Sequence, residues 1–191
     1  MGKKLFTLLL LVFSCSFAYA QTYTVERIVD GDTLKLTSGD RIRMIGIDTP
    51  ESRDNAKAER DSKRSGQDIK TIIKMGNEAK NFLKSLGLEG KEVYLEFDVQ
   101  QRDKYGRLLA YVFVDTGIKR GDPLDFKFNS DYYFDYFNNR WMHFINASIV
   151  KAGYAQPMTI PPNVKYADLF RKLYKNAREK KRGLWTDENK D

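Results

Sequence analysis

The sequence predicts an α+β fold, because five short strand-like segments share the chain with three segments of helical character. The strand-like segments alternate apolar and polar residues or run apolar with many β-branched residues, and they are residues 23–29, 33–37, 41–47, 93–97 and 108–114. The turns at 30–32 and 38–40 contain the Asp and Gly residues that tight hairpins favour. The first three segments are therefore expected to form a meander.

Three helices are expected from the spacing of apolar residues. The first is capped by Asn77 and ended by Gly87, and its apolar face consists of Ala79, Phe82, Leu83 and Leu86. The other two are predicted at about 141–152 and 166–181. Residues 52–74 are rich in charge without a clear apolar period, so they are interpreted as a mobile polar loop.

Five short strands with one helix between the third and the fourth follow the order of an oligonucleotide-binding (OB) barrel. The prediction is therefore a five-stranded OB-fold β-barrel with about three helices. The exposed sheet face and loops of such barrels bind single-stranded nucleic acid. The fold alone does not determine an activity.

Residues 1–20 have the features of a secretory signal peptide, namely a basic start, an apolar run at 5–13 and small residues before the end. The apolar run is too short for a stable membrane anchor. Residues 21–191 are interpreted as one domain with an aromatic-rich insertion at about 117–139. The expectation is a monomer, secreted or periplasmic, without stable membrane association after cleavage.

The only cysteine, Cys15, lies inside the predicted signal, so the cleaved chain would have no disulfide. The alternative is lipid attachment at Cys15, a pattern that the bulky Phe13 fits poorly. The net charge is +7, and it is +5 without Lys3 and Lys4. A positive net charge favours association with a polyanionic partner, but it does not indicate which reaction the protein catalyses.

Three motifs supply what cleavage of a phosphodiester needs, which is a cation, cationic side chains and a base. They are Val-Asp-Gly-Asp-Thr at 29–33, the segment from Arg43 to Asp48-Thr49-Pro50-Glu51, and Asp103-Lys104-Tyr105-Gly106-Arg107. Each motif alone has a simpler interpretation, such as a hairpin turn or a strand end. Together they bring carboxylates to one side of a curled sheet, where oxygen ligands suit calcium better than zinc.

In these motifs the chain resembles the thermonuclease family, the secreted calcium-dependent nucleases of staphylococcal type, over roughly residues 23–185. The resemblance implies that Asp32 and Asp48 ligate Ca²⁺ through their carboxylates and Thr49 through its backbone carbonyl. Glu51 would act as the general base or orient the attacking water. Asp30 would not bind the ion itself but would interact with the residues that do.

The resemblance also implies roles for cationic residues. Arg43 and Arg107 would bind phosphate oxygens through the planar guanidinium fork and stabilise the developing charge. Lys104 and Tyr105 match family positions that contact a substrate phosphate. The only histidine, His143, lies between apolar residues and is expected to pack or face solvent rather than to catalyse.

The resulting hypothesis is a secreted calcium-dependent nuclease that hydrolyses DNA and RNA and leaves 3′-phosphate ends. One alternative is a nucleic-acid-binding module of the same fold without catalysis, and another is a structural or adhesion protein that uses the aromatic insertion. The chain departs from the family at 156–160, where base-stacking tyrosines are absent. Tyr132, Tyr133 or Tyr136 would replace that platform, or would pack as a lid or partner surface.

Overall fold

The computed structural model describes residues 22–122, 130–137 and 140–186. The predicted signal peptide, Cys15 and part of the aromatic insertion lie outside these residues. Within the described ranges, no helix combines the length and the apolar character needed to cross a bilayer.

The described chain contains strands and helices in a mixed order. The strands are β1 (Thr22–Asp30), β2 (Thr33–Leu36), β3 (Arg41–Met44), β4 (Gly46–Asp48), β5 (Glu92–Glu96), β6 (Leu108–Lys119), β7 (Phe134–Phe137), β8 (Arg140–Phe144) and β9 (Gln156–Met158). The helices are α1 (Ala56–Ser65), α2 (Ile69–Ser85), α3 (Ile145–Lys151) and α4 (Ala167–Glu179), followed by a 3-10 turn at Gly183–Trp185.

Five strands close into a barrel, which confirms the predicted OB-fold architecture. β1, β2 and β3 form an antiparallel meander, and β5 pairs antiparallel with both β1 and β6. The parallel pairing of β3 with β6, in which Arg43 lies opposite Leu109, closes the ring. Outside the barrel, β4 pairs with β9, and the β7–β8 hairpin extends the sheet from β6.

Side-chain alternation on the barrel strands decides what lies inside and what lies outside. Ile42 and Met44 of β3 point inward and are buried in the core, together with Leu34 and Leu36 of β2. Since successive residues of a strand face opposite sides, Arg43 is directed to the outer wall. The same alternation that builds the core therefore presents a guanidinium outside it.

A buried asparagine joins the barrel to α3. Asn146 accepts a hydrogen bond from Val112 N–H at 2.9 Å and donates to the carbonyl of Ile45 at 3.0 Å. Both groups lie at the core, and Asn146 has no exposed surface. The amide thus satisfies one backbone group of β6 and one at Ile45, the residue between β3 and β4.

The predicted loop at 52–74 is wrong, because most of this segment is helical. Asn55 caps α1 by accepting hydrogen bonds from the Lys57 and Ala58 N–H groups, and Gly66 ends the helix in a left-handed conformation. Only Ala58 of α1 is buried, which is why no apolar period marks this helix. The described residues thus form four α-helices rather than about three.

Two further helix boundaries differ from the prediction. The Asp68 side chain caps α2, so that helix begins at Ile69 rather than near Asn77. The segment predicted as a helix at 141–152 begins as strand β8, whose His143 pairs with Val114 of β6, and turns helical only at Ile145. Strand pairing with β6 and β7 overrides the helical spacing there. The helix predicted at 166–181 is confirmed as α4.

The described tyrosines of the aromatic insertion contact the protein itself. The ring of Tyr132 stacks on His143 at 5.0 Å between centroids, and Tyr133 meets Phe144 edge to face at 6.2 Å. Tyr136 packs similarly against Trp141 at 5.3 Å. These contacts, all with residues of β8, favour the interpretation that the rings pack against the protein rather than serve as a platform for bases.

The backbone of α2 lies against the segment that follows β4, and glycine permits this approach. A Cβ at Gly76 would lie 2.2 Å from the carbonyl oxygen of Glu51 and 2.6 Å from the Ser52 nitrogen. Both neighbours are backbone atoms, so they cannot rotate away. Gly76 therefore sets the distance between α2 and Glu51.

Replacing Gly76 with alanine is expected to destabilise the protein by about 1–3 kcal/mol, because the added methyl group forces α2 and the Glu51 backbone apart. The change would be measured as a lower midpoint of urea unfolding. The matched control is Asn77→Ala, an exposed position of the same helix where alanine favours helix formation. Equal midpoints for Gly76→Ala and the wild type would contradict the packing argument.

His143 is held in a neutral form. Burial lowers its pKa from 6.5 to about 4, and the charge of Lys91 acts in the same direction. Ser148 Oγ lies 2.8 Å from His143 Nε2 and already accepts a hydrogen bond from Tyr133 N–H, so it can donate its own proton to the imidazole. The unfolded chain binds a proton more readily than the folded chain between these two pH values.

Because of this histidine, we expect the free energy of unfolding to decrease by up to about 3 kcal/mol as the pH falls from about 6.5 to about 4. Urea unfolding of the wild type and of His143→Gln across that range isolates the effect, because the carboxylates titrate alike in both proteins. The stability of the wild type should fall more steeply than that of the variant. Parallel curves would exclude a buried neutral imidazole.

Candidate active site

Asp32 lies in the turn between β1 and β2 and is held from several sides. Its Oδ1 accepts a hydrogen bond from Thr33 Oγ1 at 2.9 Å, and its Oδ2 accepts from both the N–H and the Oγ1 of Thr49 at 3.1 Å. The carbonyl of Asp32 accepts from Met44 N–H at 3.0 Å. The turn is therefore fastened both to β3 and to the segment after β4.

Arg43 joins two buried carboxylates. Its Nη2 donates to Asp48 Oδ1 at 2.8 Å, and its Nη1 forms an ion pair with Asp32 Oδ2 that lacks the alignment of a hydrogen bond. The side chains of Arg43, Asp32 and Asp48 are only 11%, 8% and 8% exposed. Buried charges of this kind are tolerated because they are paired.

Lys57 of α1 is a residue of this cluster that the sequence did not reveal. Its Nζ donates to Asp48 Oδ1 at 3.0 Å, to the Thr49 carbonyl at 3.1 Å and to Glu51 Oε1 at 2.8 Å. The other carboxylate oxygen of Glu51 accepts from Asn55 Nδ2 at 2.7 Å. Asn55 is a residue type that favours helix N-caps, and this was the sequence feature that could have indicated a helix starting there. Such a helix places Lys57 in its first turn, near Asp48.

The charges of the cluster stabilise one another. Burial acts to raise the pKa of Asp32, but the charges of Arg43 and Lys57 and the hydrogen bonds from Thr33 and Thr49 outweigh it, so the pKa is lowered. Burial likewise opposes the charge of both cations, yet the neighbouring carboxylates raise the pKa of Arg43 and of Lys57. Asp32, Arg43 and Lys57 are all charged at neutral pH.

Asp30 lies at the end of β1, beside the cluster rather than within its ion pairs. Its Oδ1 accepts a hydrogen bond from Gly31 N–H at 2.9 Å. Burial raises its pKa, and the nearby charges of Asp32 and Glu51 add to the effect.

The third motif forms a separate turn before β6. Asp103 accepts hydrogen bonds from the N–H groups of Tyr105 and Arg107, and its Oδ2 accepts from Arg107 Nε at 2.7 Å. Tyr105 is 72% exposed, and its ring lies near two cations, Lys104 Nζ at 5.1 Å and the Arg107 guanidinium at 5.5 Å. Although burial opposes it, hydrogen bonding to Arg107 lowers the pKa of Asp103.

Strand register relates this turn to Arg43. Leu109 lies opposite Arg43 in the β3–β6 pair, and Arg107 is the last residue of the turn before β6 begins at Leu108. The ion pair of Arg107 runs to Asp103 rather than to the carboxylates around Arg43. Side-chain contacts thus connect Asp32, Arg43, Asp48, Thr49 and Glu51, while Lys104, Tyr105 and Arg107 form a second group.

The first group offers oxygen ligands for a hard cation. Across the described ranges, no three acidic, histidine or cysteine side chains converge in a geometry that would hold a metal ion. However, Asp48, the Thr49 carbonyl and Glu51 already surround a positive charge, the ammonium of Lys57. Carboxylate and carbonyl oxygens are the donors that Ca²⁺ prefers, so the donor set fits this ion.

A groove of about 560 Å³ opens beside the carboxylates. Asp48 and Thr49 line one side of it, and Arg64, Arg178 and Trp185 are among the residues that line the rest. The groove therefore reaches Asp48 and Thr49, while Asp32, Arg43 and Glu51 are not among its lining residues.

Comparison with known proteins shows which family the chain is similar to. Residues 41–187 match the family model described as staphylococcal nuclease homologue. The chain is 31% identical over 169 residues to the thermonuclease of Staphylococcus intermedius, covering 86% of this chain and 76% of that protein. It is 29% identical over 176 residues to the thermonuclease of Staphylococcus hyicus, covering 90% of this chain and 80% of that one.

A phage-derived relative also matches. The SPbeta prophage-derived endonuclease YokF of Bacillus subtilis is 31% identical over 168 residues, which are 85% of this chain but only 43% of that longer protein. The family match covers β3 to the C-terminal helices, including Arg43, Asp48, Thr49 and Glu51, whereas β1, β2 and Asp32 lie before its first residue. The chain therefore belongs to the staphylococcal nuclease homologue family.

Proposed function

We propose that this protein is a secreted, calcium-dependent nuclease that hydrolyses phosphodiester bonds of DNA and RNA and leaves 3′-phosphate ends. The observation that carries the proposal is the connected cluster of Asp32, Arg43, Asp48, Thr49 and Glu51 on the outer wall of the barrel. Relatives that are named thermonuclease and endonuclease support it. Export stays a prediction from residues 1–20.

The metal ligands are the carboxylates of Asp32 and Asp48 and the backbone carbonyl of Thr49. Ca²⁺ bound there supplies positive charge that polarises the phosphate and offsets the charge that develops in the transition state. The protein's own contribution is to hold these oxygens in place. Thr49 does so through its N–H and Oγ1, which both donate to Asp32.

Glu51 is the general base that takes a proton from the attacking water. Its Oε2 is oriented by a hydrogen bond from Asn55, its Oε1 accepts from Lys57 when no metal is bound, and its side chain is 20% exposed, which leaves access for water. A carboxylate held in this way can accept a proton within hydrogen-bonding reach of the nucleophile. The backbone of Glu51 is positioned in turn by its contact with Gly76.

Arg43 and Arg107 would stabilise the phosphate charge, and in the metal-free protein the guanidinium of Arg43 pairs with Asp32 and Asp48. Arg107 uses Nε for Asp103, which restrains the guanidinium and leaves its two terminal nitrogens to bind a phosphate. A planar fork of this kind binds two phosphate oxygens at once, which a lysine cannot do. Lys104 and the exposed Tyr105 extend this surface along the substrate strand.

Replacing Glu51 with glutamine is expected to lower kcat by about 10²–10⁴-fold, because the amide cannot accept the proton of the attacking water. The measurement uses the purified 21–191 chain with single-stranded DNA, duplex DNA or RNA, in calcium or in chelator. The control is Glu59→Gln, the same chemical change at an exposed position of α1. Binding of DNA without calcium-dependent cleavage by the wild type would favour the binding-module alternative.

Replacing Arg107 with lysine keeps the charge but removes the fork, and we expect kcat to fall by about 10²–10³-fold. The matched control is Arg102→Lys in the same turn, since Arg102 is an exposed residue paired with Asp40. The control should retain nearly full activity. Similar losses in both variants would mean that the turn, rather than the guanidinium of Arg107, matters for catalysis.

A further inference from the structure

The ammonium group of Lys57 occupies a small oxygen cage. Three oxygens from three different residues surround it, namely Asp48 Oδ1 at 3.0 Å, the Thr49 carbonyl at 3.1 Å and Glu51 Oε1 at 2.8 Å. One of them is a backbone carbonyl, which ordinary surface ion pairs do not include. The Lys57 side chain is 29% exposed and that of Asp48 only 8%, so the contact is shielded from solvent.

Two of these three oxygens belong to the ligand set of the proposed calcium site. Calcium binds oxygens at about 2.3–2.6 Å, which leaves no room for an ammonium among the same oxygens. An ion and the Lys57 ammonium therefore exclude each other. Both are also attracted by the same negative charge.

We propose that Lys57 is an intrinsic competitor for the metal site: its ammonium takes the cation position in the metal-free protein and is displaced when a divalent cation binds. Lys57 thereby sets the metal affinity of the active site. This inference rests on the proposed function, because it assumes that Asp48 and Thr49 bind the metal.

The charge balance of the cluster explains why a lysine at position 57 is favourable. Three carboxylates, those of Asp32, Asp48 and Glu51, lie close together, and Arg43 alone would leave them with a net charge of −2. Lys57 reduces this to −1 and pairs Asp48 and Glu51 without a metal. Unpaired buried carboxylates would destabilise the fold. The site therefore stays assembled before the metal arrives, and the metal must compete for its ligands.

The position of Lys57 on α1 makes the exchange simple. It is the second residue of that helix, and its long side chain reaches back over the Asn55 cap to the segment after β4. Displacement needs only rotation of the side chain, because Asn55 caps the helix independently of Lys57 Nζ. The released amine would then be exposed to solvent.

Calorimetric titration with Ca²⁺ tests the competition directly. The purified 21–191 chain would be compared with Lys57→Met, which keeps the apolar stem and removes the charge. We expect the variant to bind Ca²⁺ at least about tenfold more tightly. Lys63→Met removes the same charge from an exposed position of α1, and its affinity should stay within about twofold of the wild type.

Amine reactivity in the unaltered protein provides a second measurement that does not depend on how the variant folds. Reductive methylation followed by peptide mass spectrometry should label Lys57 slowly without metal and several-fold faster in saturating Ca²⁺. Lys63 should be labelled equally in both conditions. Continued protection of Lys57 in saturating Ca²⁺ would overturn the proposal.

The outcomes separate this inference from the proposed function. If the wild type binds Ca²⁺ and cleaves DNA, but Lys57→Met binds the ion no more tightly, only the role of Lys57 fails. If neither the wild type nor Lys57→Met binds Ca²⁺, the calcium-dependent nuclease itself is refuted, and the role of Lys57 with it. Tighter binding by Lys57→Met, together with calcium-dependent labelling, supports both.

Discussion

Arg43 pairs with two buried aspartates on the outer wall of the barrel, and the local architecture depends on this contact. Asp32 arrives from a hairpin turn and Asp48 from the end of β4, so the guanidinium joins segments that are distant along the chain. Without that cation, two carboxylates would be buried close together, at a cost of several kcal/mol. Charge compensation, rather than apolar burial, therefore holds these two segments at this point.

The helices outside the barrel extend this arrangement. α2 approaches the chain after β4 so closely that only glycine fits at position 76, and this contact fixes the backbone of Glu51. α1 then directs Asn55 and Lys57 to the two oxygens of the Glu51 carboxylate. The packing of two helices thus orients one side chain, as the proposed role of Glu51 as general base requires.

The aromatic extension serves a different part of the molecule. β6 continues beyond the barrel, and the β7–β8 hairpin adds to its sheet. His143 is enclosed there between Tyr132, Phe134 and Ser148, where its neutral form is favoured. The only histidine of the chain is consequently a packing residue, and the chemistry of the candidate site relies on carboxylates and guanidinium groups.

The sequence alone determined the barrel and most residues of the candidate site, although it did not reveal Lys57. Strand alternation, hairpin turns and the order of the motifs are local properties, and they predicted the five barrel strands and the residues gathered around Arg43. Tertiary structure decided the rest. α1 buries only Ala58, so no apolar period announces it, and it is held by its caps and by the contacts of Lys57 with Asp48 and Glu51. The stretch at 140–144 is compatible with both helix and strand, and pairing with β6, a partner distant in sequence, selected the strand.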